Sequence, residues 1–219
     1  MPDWYKDLES YSNGKKQPTG NGEISSTIKR CMPVFDAIVS GYIIVSHTDV
    51  YISQKEVVEK DNSFPSHNIP YYEWPFYNPI AFHPTFQVYN YPGQNKMPKA
   101  ASYPKWLNPW GIKTPPGYST MFVSPLHRES IFTIMAGVVD TDLYTAPVNF
   151  PFVLNDWGFE GLIPAGTPIA QVIPFKRESW KMEIGSKKDI IDQNKVTLKL
   201  KTRFFDSYKT FFRQVKEYK

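Results

Sequence analysis

From Cys31 to Phe175 the chain is written in apolar runs of a few residues, rich in β-branched and aromatic side chains, with proline or glycine in nearly every gap. That texture leaves little room for long helices, because proline removes a backbone donor and clashes with the preceding turn. The runs VFDAIVSGYIIVSHTDVYIS, TFQVYNY, YSTMFVS, SIFTIMAGVV, PVNFPFVLN and PIAQVIPF read as strands. Pro147 and Pro151 fall inside or beside such a run, which confines it to an edge, a bulge or irregular pairing. The expectation is a mainly β domain of many short strands over residues 31–180.

Three segments stand apart from that texture. Residues 1–30 are polar and rich in Gly, Asn and Ser apart from Trp4, Tyr5 and Leu8, a composition that cannot bury enough surface to fold alone. They read as an arm that docks on a neighbouring surface or frays. From Ser63 to about residue 110 prolines are interleaved with Tyr, Phe and Trp. This is too aromatic for a linker and reads as a long ordered insertion whose rings pack on the sheet or wall a pocket. Residues 181–219 form a basic extension in which NKVTLKLKT alternates as a strand does. In RFFDSYKTFFRQVKEYK, by contrast, Phe204, Phe205, Tyr208, Phe211, Phe212 and Val215 recur at the spacing of an amphipathic helix. That stripe packs on its own domain or on a protein partner.

Charge and cysteine usage narrow the setting. The net charge is +4, but Lys176 to Lys219 holds 13 Lys and Arg against 6 Asp and Glu, so this tail carries +7 and the rest about −3. Such an excess reads as a solvated face or a contact for an acidic partner. Nucleic acid is not expected, because no basic stripe is set among stacking aromatics in a recognised module. The single cysteine, Cys31, cannot close an internal disulfide, and no signal-peptide pattern opens the sequence. The longest apolar run, around Ala37 to Val45, is interrupted by Ser40 and Gly41 and is too short for a bilayer. A cytoplasmic protein is expected, or a virion component if the chain is phage-encoded.

Three blocks, in order, resemble the dUTPase-like family. GIKTPPGYSTMFVSPLHRES, Gly111 to Ser130, is similar to the family's strand-turn-strand text leading to a Pro-Arg-Ser motif. AGVVDTDLY, Ala136 to Tyr144, is similar to its Gly-Val-Ile-Asp-x-Asp-Tyr motif, and FEGLIPAGTPIAQVIPF, Phe159 to Phe175, resembles its closing strand. Text such as GYII and NFPF is also similar to that of phage and bacterial proteins. The resemblance implies a β-clip or jelly-roll-type barrel that assembles as a homotrimer with its site between subunits. It further implies that Asp140 orders an attacking water, that Arg128 neutralises phosphate charge, and that Gln171 approaches the phosphates. Asp142, Tyr144, His127 and Ser130 fall at ligand-contacting positions, and Mg²⁺ would assist.

The departures from that pattern point elsewhere. Gly41-Tyr42 is followed by Ile43 and Ile44, where the family has a metal-supporting Asp. Leu126 and His127 stretch the Pro-Arg-Ser block, Leu143 delays the tyrosine by one place, and the glycine-rich C-terminal lid has no counterpart. No His-x-His pair, Gly-x-Ser-x-Gly elbow or phosphate-binding glycine loop offers other chemistry. Two readings follow. The first is a non-catalytic trimeric binding or structural module in which Asp140-Thr141-Asp142 is a turn accepting backbone hydrogen bonds. The second is a hydrolase of a nucleotide or other phosphorylated small molecule, built on Asp140 and Arg128 with a divalent metal.

Overall fold

The computed structural model describes residues 1–20, 24–52, 79–83, 85–88, 91, 103–156, 158–202 and 206–217. Most of the proline-rich aromatic insertion lies outside the described residues. The chain divides into two compact units, one formed by Gly41–Arg177 and the other by Met1–Ser40 with Glu178–Lys219.

The first unit is built from antiparallel strands. Its strands are β1 (Tyr42–Val45), β2 (Val50–Ile52), β3 (Ile80–His83), β4 (Tyr103–Trp106), β5 (Tyr118–Val123), β6 (Phe132–Ile134), β7 (Gly137–Val139), β8 (Phe150–Leu154), β9 (Gly161–Ile163) and β10 (Pro168–Lys176). Four-stranded sheets run in the orders β1-β10-β5-β7 and β3-β4-β8-β6, and β2 pairs with β9. Every pairing is antiparallel, and among the described residues no sheet closes into a barrel. Alternation explains the packing. In β8 the residues Phe150, Phe152 and Leu154 point inward, with Pro151 and Val153 between them half-buried. These inward rows meet Val50, Ile80, Trp106, Phe122, Phe132, Ile163 and Val172 in one cluster that draws on all three sheets.

Two turns fix how the strands enter this arrangement. Gly41 has φ 66°, and a Cβ there would stand 1.9 Å from the carbonyl oxygen of Val172, so only glycine lets the chain pass β10 into β1. Pro115-Pro116-Gly117 turns into β5 with Gly117 at φ 83° and the Tyr118 amide donating to Pro115 at 3.3 Å.

In the second unit, α1 (Asp3–Asp7) buries Tyr5, whose hydroxyl donates to the Lys29 carbonyl at 2.9 Å. Helix α2 (Met32–Val39) buries Ile38 and the Asp36 carboxylate. Asp36 receives Arg213 at 2.7 Å and Lys216 at 3.0 Å, while Arg30 pairs with Asp206 at 2.6 Å. Helix α3 spans Lys187–Thr202 and α4 spans Ser207–Phe211. No helix among the described residues is long and apolar enough to cross a membrane.

Several sequence expectations are corrected here. VFDAIV is helical, because Pro33 opens a first turn and Asp36 is held by distant cations. Thr85–Val88 of TFQVYNY forms a 3₁₀ turn. NKVTLKLKT lies in α3 and not in a strand. Its lysines and leucines are good helix formers, and Asp189 accepts the Ser186 amide at 2.6 Å, closing the helix start as a capping-box partner does. Of the helix expected over the last seventeen residues, Phe204 and Phe205 lie outside the described residues; the described part holds α4, beyond which Phe212 leaves helical geometry and Arg213 and Lys216 reach Asp36.

Candidate functional site

Strand β7 ends at Val139, and the next residues turn back on themselves, with the amides of Leu143 and Tyr144 donating to the Asp140 carbonyl at 3.0 and 2.8 Å. The turn is fastened from below by hydroxyls. Thr141 is fully buried, and its Oγ1 lies 2.8 Å from that of Thr114 and 2.7 Å from that of Thr120. The Thr114 amide also donates to the Thr141 carbonyl at 3.2 Å. Each buried hydroxyl thereby has a partner, as burial requires.

The two carboxylates are both engaged. Asp140 Oδ1 accepts from Ser119 Oγ at 2.6 Å and stands 3.2 Å from the Arg177 guanidinium. Asp142 accepts the Gly117 amide at 2.8 Å and both terminal nitrogens of Arg177, Nη1 at 2.8 Å. The same Nη1 reaches the Tyr118 carbonyl at 2.9 Å, and the Arg177 amide continues the β10 ladder to the Gly117 carbonyl at 2.8 Å. This forked pairing is the strong form of carboxylate recognition. Arg177 holds the Asp142 carboxyl down at about 2, helped by the Gly117 amide, and the two acids in turn push the guanidinium up. The Asp142 side chain is only 6% exposed, whereas that of Asp140 is 57% exposed.

The register separates the residues that the resemblance would bring to one site. Asp140 follows Val139, which pairs with Thr120, and contacts Ser119 near the start of β5, whereas Gln171 pairs with Val123 at its end. Four strand residues separate these levels, about 13 Å at about 3.3 Å per residue. Gln171 is fully buried and its Oε1 accepts the Leu126 amide at 2.9 Å, so this carboxamide holds the turn after β5. His127 lies in that turn with φ 55°, followed by Arg128, which is half-buried with no ion pair to a described residue. Ser130 sits at the start of β6, its Oγ 3.3 Å from the Phe132 amide. Tyr144 is half exposed at the far side of the Asp140 turn. Within one chain, then, Asp140, Asp142 and Tyr144 form one group, and Gln171, His127, Arg128 and Ser130 belong to the other end of β5.

A divalent cation bridging the two acids would have to displace Arg177, which pairs with both oxygens of Asp142 and with Oδ1 of Asp140. No group of three or more His, Cys, Asp or Glu side chains suited to a metal occurs among the described residues.

Sequence reasoning missed Arg177, Ser119 and the threonine cluster. Arg177 lies 35 residues from Asp142 and becomes its neighbour only when β10 pairs with β5 so that Lys176 faces Tyr118. The findable signal was an arginine one residue beyond the closing strand. Compared with known proteins, the chain matches no family model, no curated protein and no solved structure.

Proposed function

We propose that the chain is a non-catalytic binding or structural module of dUTPase-like, β-clip character that works as a homotrimer, its Asp140-Thr141-Asp142 turn serving as a fastening. The observation that carries this reading is Arg177, which occupies both carboxylates with one guanidinium. A general base or metal ligand must have a lone pair to offer, and Asp142 spends its own on Arg177 and Gly117. Asp140 keeps an exposed edge, yet its Oδ1 is shared between Ser119 and Arg177. The isoleucines after Gly41-Tyr42 support the same conclusion, since β1 pairs Ile43 and Ile44 with Gln171 and Ala170 and supplies no acid there.

The test is release of phosphate or pyrophosphate from a panel of ribo- and deoxynucleoside triphosphates with Mg²⁺ or Mn²⁺, run beside Asp140→Asn. The expected outcome is no release from either protein and a lower melting temperature for the variant. Release by the native chain that disappears in Asp140→Asn would overturn the proposal and install the hydrolase built on Asp140 and Arg128.

A further inference from the structure

The sequence after Phe211 gives a helix no reason to stop. Phe212-Arg213-Gln214-Val215-Lys216-Glu217 contains no glycine, proline or asparagine, its Arg, Gln, Lys and Glu are good helix formers, and Arg213 and Glu217 stand at the spacing of a supporting ion pair. Tyr208, Phe211, Phe212 and Val215 keep the spacing of one helical face across the whole stretch. Helix α4 nonetheless ends at Phe211. Phe212 turns to φ −126° and ψ −25°, and the Arg213 amide reaches five residues back, to the Tyr208 carbonyl at 3.0 Å, where a continuing helix would use the carbonyl four back.

Both ends of this interrupted helix are spent on residues 1–40. At its start Asp206, a residue type that favours the N-cap, has the left-handed φ of 52° and makes no cap bond; its Oδ1 accepts Arg30 Nη2 at 2.6 Å instead. At its end the break falls at the residues that reach Asp36. Arg213 donates to this buried carboxylate from Nη2 at 2.7 Å and from Nε at 3.2 Å, with its guanidinium 5.5 Å from the centre of the Phe35 ring, and Lys216 adds Nζ at 3.0 Å. Of residues 206–217 only Ser207 is buried, so the hold is polar rather than apolar. A local sequence preference overruled at both ends by contacts to one distant segment marks an element with two arrangements.

We propose that residues 206–217 form a two-state strap: clasped, as in this structure, with Arg30 and Asp36 holding its ends, or released, with α4 lengthened through Lys216 and capped by Asp206. In the released state Tyr208, Phe211, Phe212 and Val215 join into one unbroken apolar face with Lys209, Arg213 and Lys216 along its flank. In the clasped state that face is interrupted, and Tyr208, Phe211 and Val215 are 40, 48 and 70% exposed. Ordering of residues 1–40 against the strap and lengthening of the helix thus compete, so whatever favours one disfavours the other by the same factor. The clasp contacts lie within residues 1–40 and 206–217 of one chain, so the inference does not depend on the oligomer reading.

The experiment follows the Cα chemical shifts of Phe212 to Glu217 in the isotope-labelled full chain. A short helix standing off its surface exchanges its amides freely even while helical, so the shifts and not protection give the reading. Two variants open the clasp from opposite sides, Arg30→Gln/Asp36→Asn on the arm and Arg213→Gln/Lys216→Gln on the tail. In each, the shifts are expected to move toward helical values while those of β5 and β10 stay as in the native chain. Adding Gln214→Pro should abolish the movement, since proline is not tolerated inside a helix. Movement to random-coil values in either variant would show a plain ionic tether and overturn the inference. Native shifts in both, or helical shifts that survive Gln214→Pro, would overturn it as well. Should one variant fail to fold, the other decides, because they alter different segments. The native chain in about 1 M salt gives a third reading with the same expected direction, and a move to random-coil values there counts against the inference equally.

Discussion

In the unit Gly41–Arg177, fourteen buried apolar side chains from three sheets form a single cluster. In the unit made by residues 1–40 and 178–219, Pro2, Tyr5 and Ile38 are the buried apolar side chains among the described residues, and the ties between its two segments include the ion pairs of Asp36 with Arg213 and Lys216 and of Arg30 with Asp206. The difference follows from composition. Alternating strands can bury a row of side chains each, whereas the polar first thirty residues and the basic tail bring little to bury and much charge to pair. A unit of the first kind resists salt and fails when a core group is cut. One of the second kind tolerates such cuts elsewhere and answers to ionic strength.

The largest expected effect lies in the apolar cluster. Phe152 is fully buried, its ring 5.4 Å from that of Trp106 and 5.3 Å from that of Phe132. Phe152→Ala removes those contacts and leaves a cavity that rigid neighbours cannot fill, at a cost of about 3–5 kcal/mol. Denaturant unfolding followed by aromatic fluorescence should show the loss, and a cost below about 1 kcal/mol would mean the cluster is looser than its burial implies.

Next in size is Arg177→Ala, which removes the ion pairs of Asp140 and Asp142 from the β unit. The carboxyl of Asp142 is held at about 2, below its ordinary value, so its pairing stabilises the fold above pH ~4 and is lost as pH falls from about 4 to about 2. Thermal melts between pH 2 and 7 should place the variant well below the native chain at neutral pH, and the two should converge toward pH 2. A gap that stays constant across this range would mean that the guanidinium acts through packing and not through the carboxylates.

What the sequence made legible divides along the same lines. YSTMFVS and PIAQVIPF could be read as strands because short β-branched and aromatic runs between Pro and Gly favour strands on local grounds, although β10 buries Ile169 to Val172 in succession, and the Asp140 turn because Asp residues favour turns. VFDAIV could not be read correctly, since its β-branched run favours a strand while Asp36 is satisfied by residues 177 and 180 positions away. NKVTLKLKT alternates in hydropathy, and α3 is nonetheless exposed from residue 187 to residue 200, so burial there did not select between the two periods. Arg177 was illegible for the reason Asp36 was: its partner is set by pairing between distant segments, which composition and spacing do not encode.

The smallest effect on global stability, and the sharpest test of the contrast, is Asp36→Asn. Arg213 and then Lys216 lower the carboxyl of Asp36, so the ion pairs contribute above its ordinary pKa and fade as pH falls below it. The amide keeps the shape but loses the charge that both cations answer. Hydrogen exchange should rise in Met32–Val39 and Ser207–Phe211 while β5 and β10 keep their protection, because the apolar cluster owes nothing to Asp36. Raising salt to about 1 M should move the native chain in the same direction, since screening at that strength acts within about 3 Å. The variant should then respond to salt less than the native chain does. Equal responses would locate the salt-sensitive tie at Arg30 and Asp206, the more exposed of the two long-range links.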